Sequence, residues 1–588
     1  MFIKKSKYAN GRTFLSVVQS YRGEDGQPKQ RTISKLGYVD ELETQYDDPI
    51  AYFTDKVKKD DYYSDELVIK HLSTCKIDDS SVSKNIGIFP VAQTYSEFDL
   101  TSIFDKYKSK YNFEYSLESV TKLLIFSRVL FPASKMDTYK NKNRFFETYD
   151  FSLKDMYRSL DHIPNLKDEI LTSIWNNTSK TYKRDASTSY YDCTNYYFEI
   201  SYNDEDLIDE EGNILEKGYR KKGPSKENRK SPIVQMGLLM DKSGIPMSYD
   251  IFPGNESEKT SLLPIIKNTK RNFEIGRTIV VADRGLNTSD NTWFLAGKND
   301  DETNLDGYVY GQSVRMASQE FKDWILKQED YSVDEIIDNG EPIYFKHKSR
   351  LTSKDIRLNR ARSRTNKTNQ YQKQMVYFSQ KYANKQIKER QIAIEKAKDL
   401  IRNPGKYNKA TSYGCTKYIN NIKFEKKTGE IITDNKLLLD ENLIKEESKF
   451  DGYYCIVTSE VKLSDIEIRN IYKGLWKIEE TFKITKSNLN TRPMFVWTRK
   501  HIEAHFLTCF IALVILRLLE LKLDHKYSCK QIINSLSNYN CSRIKGEHYM
   551  FNYTDNCIKE FGKLYKVSVD DQFKTISQIK KFLKITNK

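Results

Sequence analysis

Between residues 187 and 310 the chain changes its hydrophobic period, and this limits the fold more than any other feature. Up to about residue 185, apolar positions recur at helical spacing: Leu117, Val120, Leu124 and Val129–Phe131, with Pro132 ending the run. Strand-length runs of β-branched and aromatic residues follow. Ser187–Ile200 reads as a strand carrying Asp192. Ile233–Met240 and Ile245–Phe252 read as two apolar strands joined by Asp241-Lys242-Ser243-Gly244, a hairpin signal. Pro253-Gly254-Asn255 is a turn, and Ser257–Phe273 reads as a helix. Thr278–Ala282 is a short buried strand ending at Asp283, and Gly307–Tyr310 is one further strand. Three strands in hairpin order, a helix and then more strands describe an α/β chain built on a mixed sheet.

That order is the order of an RNase H-like fold whose last helix is still to come. Ile471–Leu489 supplies it. At 100° per residue, Tyr472, Leu475, Glu479, Phe482 and Lys486 fall on one stripe of a single helix. Polar and apolar residues share that face, so it lines a site or buries polar groups with partners. Asp192 and Asp283 each end a β-branched or aromatic run. With Glu479 they form a candidate three-carboxylate metal site. Glu480 is the rival ligand, 100° round the helix; Glu479 is preferred because it shares the stripe of Tyr472 and Lys486.

A chain of 588 residues is too long for one core. Residues 1–85 read as an N-terminal β-hairpin and linker. The strands Thr13–Tyr21 and Lys29–Leu36 flank the turn Gly23-Glu24-Asp25-Gly26, and Lys29, Arg31 and Lys35 are candidate DNA contacts. Residues 86–185 form a helical subdomain. The first part of the core is 186–311, and 312–450 is a basic insertion. Residues 451–530 complete the core with the Glu479 helix and the helix after it. Residues 531–588 are a mixed tail, a candidate dimerisation element. Within the insertion, Lys348–Lys367 holds eight Lys or Arg and one acid, Asp355. Such a run is either a solvated loop or a surface for the DNA backbone, with Arg360, Arg362 and Arg364 at its centre.

Lys and Arg number 96 against 81 Asp and Glu, a net charge of +15, which favours a polyanionic partner. The closest two of the eight cysteines, Cys529 and Cys541, stand twelve positions apart. That spacing excludes a Cys-x2-Cys zinc pair and fits reduced thiols of a cytoplasmic protein. The longest apolar run, Phe506–Leu516, is short for a membrane span and reads as a buried helix. His501 and His505 lie four apart, but Ile502 stands where a zinc-protease motif has Glu. The nearest match to a phosphate loop, Gly218-x4-Gly223, lacks the Lys, so no ATP chemistry is expected.

Taken in order, these residues resemble a family. Tyr472-x2-Leu475-x3-Glu479-x6-Lys486 is similar to the Tyr-x2-Arg-x3-Glu-x6-Lys signature of bacterial insertion-sequence DDE transposases. Tyr191-Asp192-Cys193-Thr194-Asn195 and Val281-Ala282-Asp283-Arg284-Gly285 resemble the segments of its first two aspartates. Phe252-Pro253-Gly254-Asn255 and His501–Phe506 also fit. The long gap between Asp283 and Glu479 suits the subgroup with a β-rich insertion. Leu475 departs from the pattern, since the family has Arg there.

The resemblance implies a Mg²⁺-dependent endonuclease and DNA strand transferase, with Asp192, Asp283 and Glu479 holding two Mg²⁺ ions (Mn²⁺ could substitute). Tyr472 and Lys486, together with Arg284 and Lys483, would contact DNA. The partners it implies are the element's terminal inverted repeats and target DNA. It also implies a homodimer in the assembled DNA complex, no membrane, and a cytoplasmic, nucleoid-associated location. Two other readings stay open: a catalytically impaired DNA-binding relic or regulator, favoured by Leu475, and a tyrosine recombinase built on His347-x2-Arg350.

Overall fold

The computed structural model describes residues 1–588 apart from 10, 23–26, 59–82, 112, 225–230, 298–305, 339, 358–366, 408–410, 413, 425–429, 432–435, 546 and 586–588. The chain divides into two compact units, Met1–Asp79 and Ser80–Lys588.

The first unit is a three-stranded antiparallel sheet of β1 (Phe2–Lys7), β2 (Thr13–Arg22) and β3 (Pro28–Tyr38). β1 adds to the hairpin expected from the sequence, pairing Phe2 with Val18 and Lys7 with Thr13. Its Lys-rich alternation hid it as a polar terminus. Leu15, Val17 and Val18 are buried, and the helix Pro49–Lys58 adds Phe53 and Val57 to this unit's interior. Lys29, Arg31 and Lys35 are exposed, and the turn 23–26 lies outside the described residues.

The second unit opens with helices that include α1 (Leu117–Leu130), α2 (Leu153–His162) and α3 (Lys167–Tyr182). Ser116 and Ser152 cap α1 and α2 through their side chains, and Ser152 and Asp155 close a capping box. The chain then enters a nine-stranded sheet. Its strands are β4 (Thr188–Tyr197), β5 (Ile233–Met240), β6 (Pro246–Pro253), β7 (Ile279–Ala282), β8 (Gly307–Gln312), β9 (Ser332–Asp338), β10 (Glu341–Arg357), β11 (Lys367–Phe378) and β12 (Tyr453–Thr458). They lie in the order β9-β10-β11-β12-β8-β7-β4-β5-β6. β4, β7 and β8 run parallel, and all other neighbours are antiparallel. α4 (Leu262–Phe273) carries the chain from β6 to β7, and the helix Ser289–Ala296 joins β7 to β8. The sequence set residues 312–450 apart as a subdomain. In the structure their strands β9–β11 lengthen the same sheet. α5 (Gln380–Arg402) builds a small core of its own with Ala397, Leu400, Tyr418 and Ile419.

The two sheet faces are apolar for different partners. Tyr191, Val280 and Ala282 face α4 through Leu262, Ile265 and Ile266. Tyr190, Tyr196, Val281 and Val309 face the opposite layer. That layer holds α6 (Asp465–Lys473), α7 (Trp476–Lys483) and α8 (Arg499–Lys522). α8 is long and apolar enough to cross a membrane, yet Ile502 and Ala504–Glu520 are all buried inside the fold. The tail of the sequence reading is an ordered element. Strands Phe573–Thr575, His548–Phe551 and Asn540–Lys545 form a sheet completed by Lys84–Asn85. The Asn85 amide donates to Leu536 O at 2.9 Å, joining the unit's two ends. The seven described cysteines are all buried.

Candidate active site

The single helix expected over Ile471–Leu489 is broken. α6 ends at Lys473, α7 starts at Trp476, and Ile484–Asn488 is a π-helical turn. Around the break, Gly474, Leu475, Lys477 and Ile478 donate to carbonyls three residues back, a tightened turn. Gly474 is what the break requires. A Cβ on it would lie 1.9 Å from the Tyr190 hydroxyl of β4. The helix backbone therefore rests directly on the end of the Tyr190 side chain. Farther along, Thr485 Oγ1 and Tyr196 Oη hydrogen bond at 2.8 Å, and Lys486 Nζ stands 5.9 Å from the Tyr196 ring. α7 thus runs along β4 from Tyr190 to Tyr196, with Asp192 and Glu479 in between.

The two aspartates emerge side by side. Tyr191 pairs with Ala282 in the parallel β4–β7 ladder, so Asp192 and Asp283 are the next residues on each strand. Neighbouring strands lie about 4.8 Å apart. Because Tyr191 and Ala282 face α4, side-chain alternation turns both aspartates toward the α7 face. Asp192 is half-buried and Asp283 exposed. Asp192 does not end its strand, as its sequence run suggested, but lies within β4, whereas Asp283 follows the end of β7; each accepts the next backbone N–H at 2.7 Å, from Cys193 and Arg284.

Glu479 is exposed on one flank of α7, whose buried residues are Ile478, Thr481 and Phe482. Glu480 lies on the other flank, and Arg517 of α8 donates to it at 3.3 Å. Asp283 and Glu479 both act on Tyr454. Burial first, then the charges of neighbours that include both Asp283 and Glu479, pushes the Tyr454 hydroxyl up to about 12. The donors are hard carboxylate oxygens of the kind Mg²⁺ takes. Among the described residues, however, no three His, Cys, Asp or Glu are drawn into one compact metal-holding group.

Tyr472 is 8 % exposed. Its hydroxyl would lie 2.6 Å from a Cβ on Gly311, and the Arg284 N–H 3.2 Å from the same point. It therefore backs the Asp283–Arg284 turn, and burial drives its phenol well above the usual range. Arg284 and Lys483 are exposed and Lys486 is half-buried. Leu475 is buried in the main core. Arg360, Arg362 and Arg364 lie outside the described residues. The strands that lead to them leave the sheet away from the carboxylates. Asp283 follows Ala282, so it is level with Gly311, Ile456 and Met375. Lys367 is eight residues beyond Met375, at the opposite end, roughly 30 Å from Asp283 by strand spacing. Lys348 and Arg350 of the same basic run serve packing instead. Both lie over the Trp324 ring, and Lys348 donates to Trp324 O and Lys327 O. The histidines are separate: His501 pairs with Asp161, and buried His505 hydrogen bonds to Thr491 O.

Gly311, Tyr454 and Tyr190 went unmarked in the sequence. The signal for Gly311 was there, a glycine directly after an apolar strand, where a neighbour comes close.

Residues 3–66 match the family model described as "IS1634 family transposase, N-terminal domain", which supports an insertion-sequence transposase. No curated protein matches the sequence. Among solved structures, a Mos1 transposase paired-end complex with left transposon end is similar at 11% identity over 42% of this chain and 67% of that one, with a TM-score of 0.11.

Proposed function

We propose that this chain is a DDE transposase with an RNase H-like core. It would cut the ends of an insertion element by phosphodiester hydrolysis and join the freed 3′-hydroxyls to target DNA. The observation that carries the reading is the placement of Asp192, within β4, beside Asp283, just past the end of the parallel strand β7, under a helix whose flank carries Glu479. The strand order β6-β5-β4-β7-β8, with α4 between β6 and β7, supports the fold assignment. The match at residues 3–66 supports the family.

In this reading Asp192, Asp283 and Glu479 would hold two Mg²⁺ ions, with Mn²⁺ as a substitute. Such ions supply charge stabilisation for the attacking and leaving oxygens. The chain's own residues fix the geometry. β4 and β7 set the spacing of the aspartates, Gly474 lets the helix close on β4, and Tyr472 backs the Asp283 turn. Arg284, Lys483 and Lys486 carry positive charge beside the carboxylates, where a DNA backbone would lie. The partners would be terminal repeats and target DNA, bound by a homodimer, without ATP and in the cytoplasm.

The test is nicking of duplexes that join the element's terminal sequence to its flanking genome. Wild-type protein with Mg²⁺ should cut at the junction. Asp192→Ala, Asp283→Ala and Glu479→Gln should each lower the rate about a thousandfold or more, without additivity. Asp192→Ala cutting at the wild-type rate would refute the assignment and leave a tyrosine recombinase standing. Specific binding by a wild-type chain that never nicks would favour the regulator.

A further inference from the structure

A cavity of about 390 Å³ opens between the end of α1, the Ser134–Lys135 turn and residues 490–496, which follow the π-helical turn. Arg128, Lys135, Arg492 and His505 line it, and among the described residues no Asp or Glu does. Arg128 is 6 % exposed. Its two terminal nitrogens donate only to backbone carbonyls, those of Leu489, Asn490 and Ala133, each at 3.2 Å. Its Nε is buried with no hydrogen-bond partner. Lys135, also 6 % exposed, has no ion pair among the described residues. Burial, then the charge of Arg128, pushes its ammonium down to about 7. Burial and these two cations also hold His505 well below its usual range.

Two buried cations side by side without a carboxylate are costly, and removing such charges from water gains nothing unless an anion meets them. A guanidinium Nε, an ammonium and a second guanidinium at the mouth make a donor set suited to tetrahedral oxyanions. We propose that this cavity is a phosphate-binding site distinct from the three carboxylates. Its ligand is a phosphate group, carried either by a DNA strand or by a free mononucleotide. Asn490 at its edge follows Glu479 by eleven residues, past the π-helical turn. It stands on its own lining and does not depend on the carboxylates being catalytic.

The test uses the full chain, with Lys135→Met and Arg492→Gln as variants. Thermal unfolding is followed in inorganic phosphate, in thymidine monophosphate and in chloride at matched ionic strength. In parallel, binding is measured to DNA duplexes bearing single methylphosphonates. A saturable rise in Tm with phosphate or the mononucleotide, at least fivefold weaker in both variants, identifies a free ligand. A single methylphosphonate position that weakens binding by wild type but not by the variants identifies a strand phosphate. Either result supports the site, whether or not the protein nicks DNA. If neither readout differs between wild type and the variants, the proposal is overturned. Should Lys135→Met not fold, Arg492→Gln decides, because that residue is half-buried at the mouth.

Discussion

Glu479 and Glu480 are chemically identical neighbours, and only their surroundings separate them. Arg517 is nearly fully buried and pairs with both Glu480 and Glu520, so Glu480 belongs to the α7–α8 contact. Glu480→Gln should therefore keep nicking within a few-fold of wild type while lowering stability by about 1 kcal/mol, read by urea unfolding. Loss of nicking in Glu480→Gln, with Glu479→Gln active, would reverse the assignment. The sequence favoured Glu479 for a reason the structure does not share. The stripe from Tyr472 to Lys486 assumed one unbroken helix, whereas Tyr472 is buried in α6 and Glu479 is exposed on α7. What separates the two glutamates is Arg517, thirty-seven residues away from Glu480, and no local spacing reports that.

The element most exposed to a single change is the α6–α7 junction. Helix propensity alone would favour alanine over glycine at position 474 by about 1 kcal/mol. The 1.9 Å approach to the Tyr190 hydroxyl overrules it. Gly474→Ala should destabilise by about 1–3 kcal/mol or more, and Tyr190→Phe should recover part of that loss, since the ring carbon behind the hydroxyl stays 2.3 Å away. A double-mutant cycle in denaturant measures the coupling. The start of α6 is pinned from the insertion. His347 of β10 hydrogen bonds to Asp465 at 2.8 Å and to Asp334 at 2.9 Å, and Lys373 of β11 pairs with Asp465 at 2.8 Å. The bond to Asp465, opposed by burial and aided by Asp334, raises His347 above its reference value of 6.5. Stability from this contact is present in full below pH 6.5 and is lost as pH rises through the higher folded value. The Tm of wild type should fall across that window relative to His347→Gln, whose profile should be flatter.

Across the whole molecule, legibility followed the distance between partners. β4 to β8 were visible because each carries its own apolar pattern and the turns between them are local. The four-stranded C-terminal sheet was not, because Asn85 meets Asn540 across more than four hundred residues and each strand is six residues or fewer. The β9–β11 extension was read as separate because its alternating polar residues suit a solvated ribbon; the pairing of β11 with β12, together with the His347 and Lys373 contacts to Asp465, welds it to the rest. The most deeply buried charge pair among the described residues, Arg184 with Asp241 at 2.6 Å, closes the start of β4 against the β5–β6 turn. Asp241→Asn should cost about 3–5 kcal/mol by stranding the guanidinium, measured by chemical unfolding.

The sheet also sets a ruler. The β10–β11 ribbon leaves from the end opposite the acids, and Lys367 stands roughly 30 Å from Asp283 by strand spacing; in the proposed reading, a duplex held at both would span close to one turn of B-form DNA, about 34 Å. A rigid duplex lying along such a ruler would present nearly the same groove at both marks, about 40° short of a full turn. Its phase would then be set by a span of hydrogen-bonded backbone, before any base is touched.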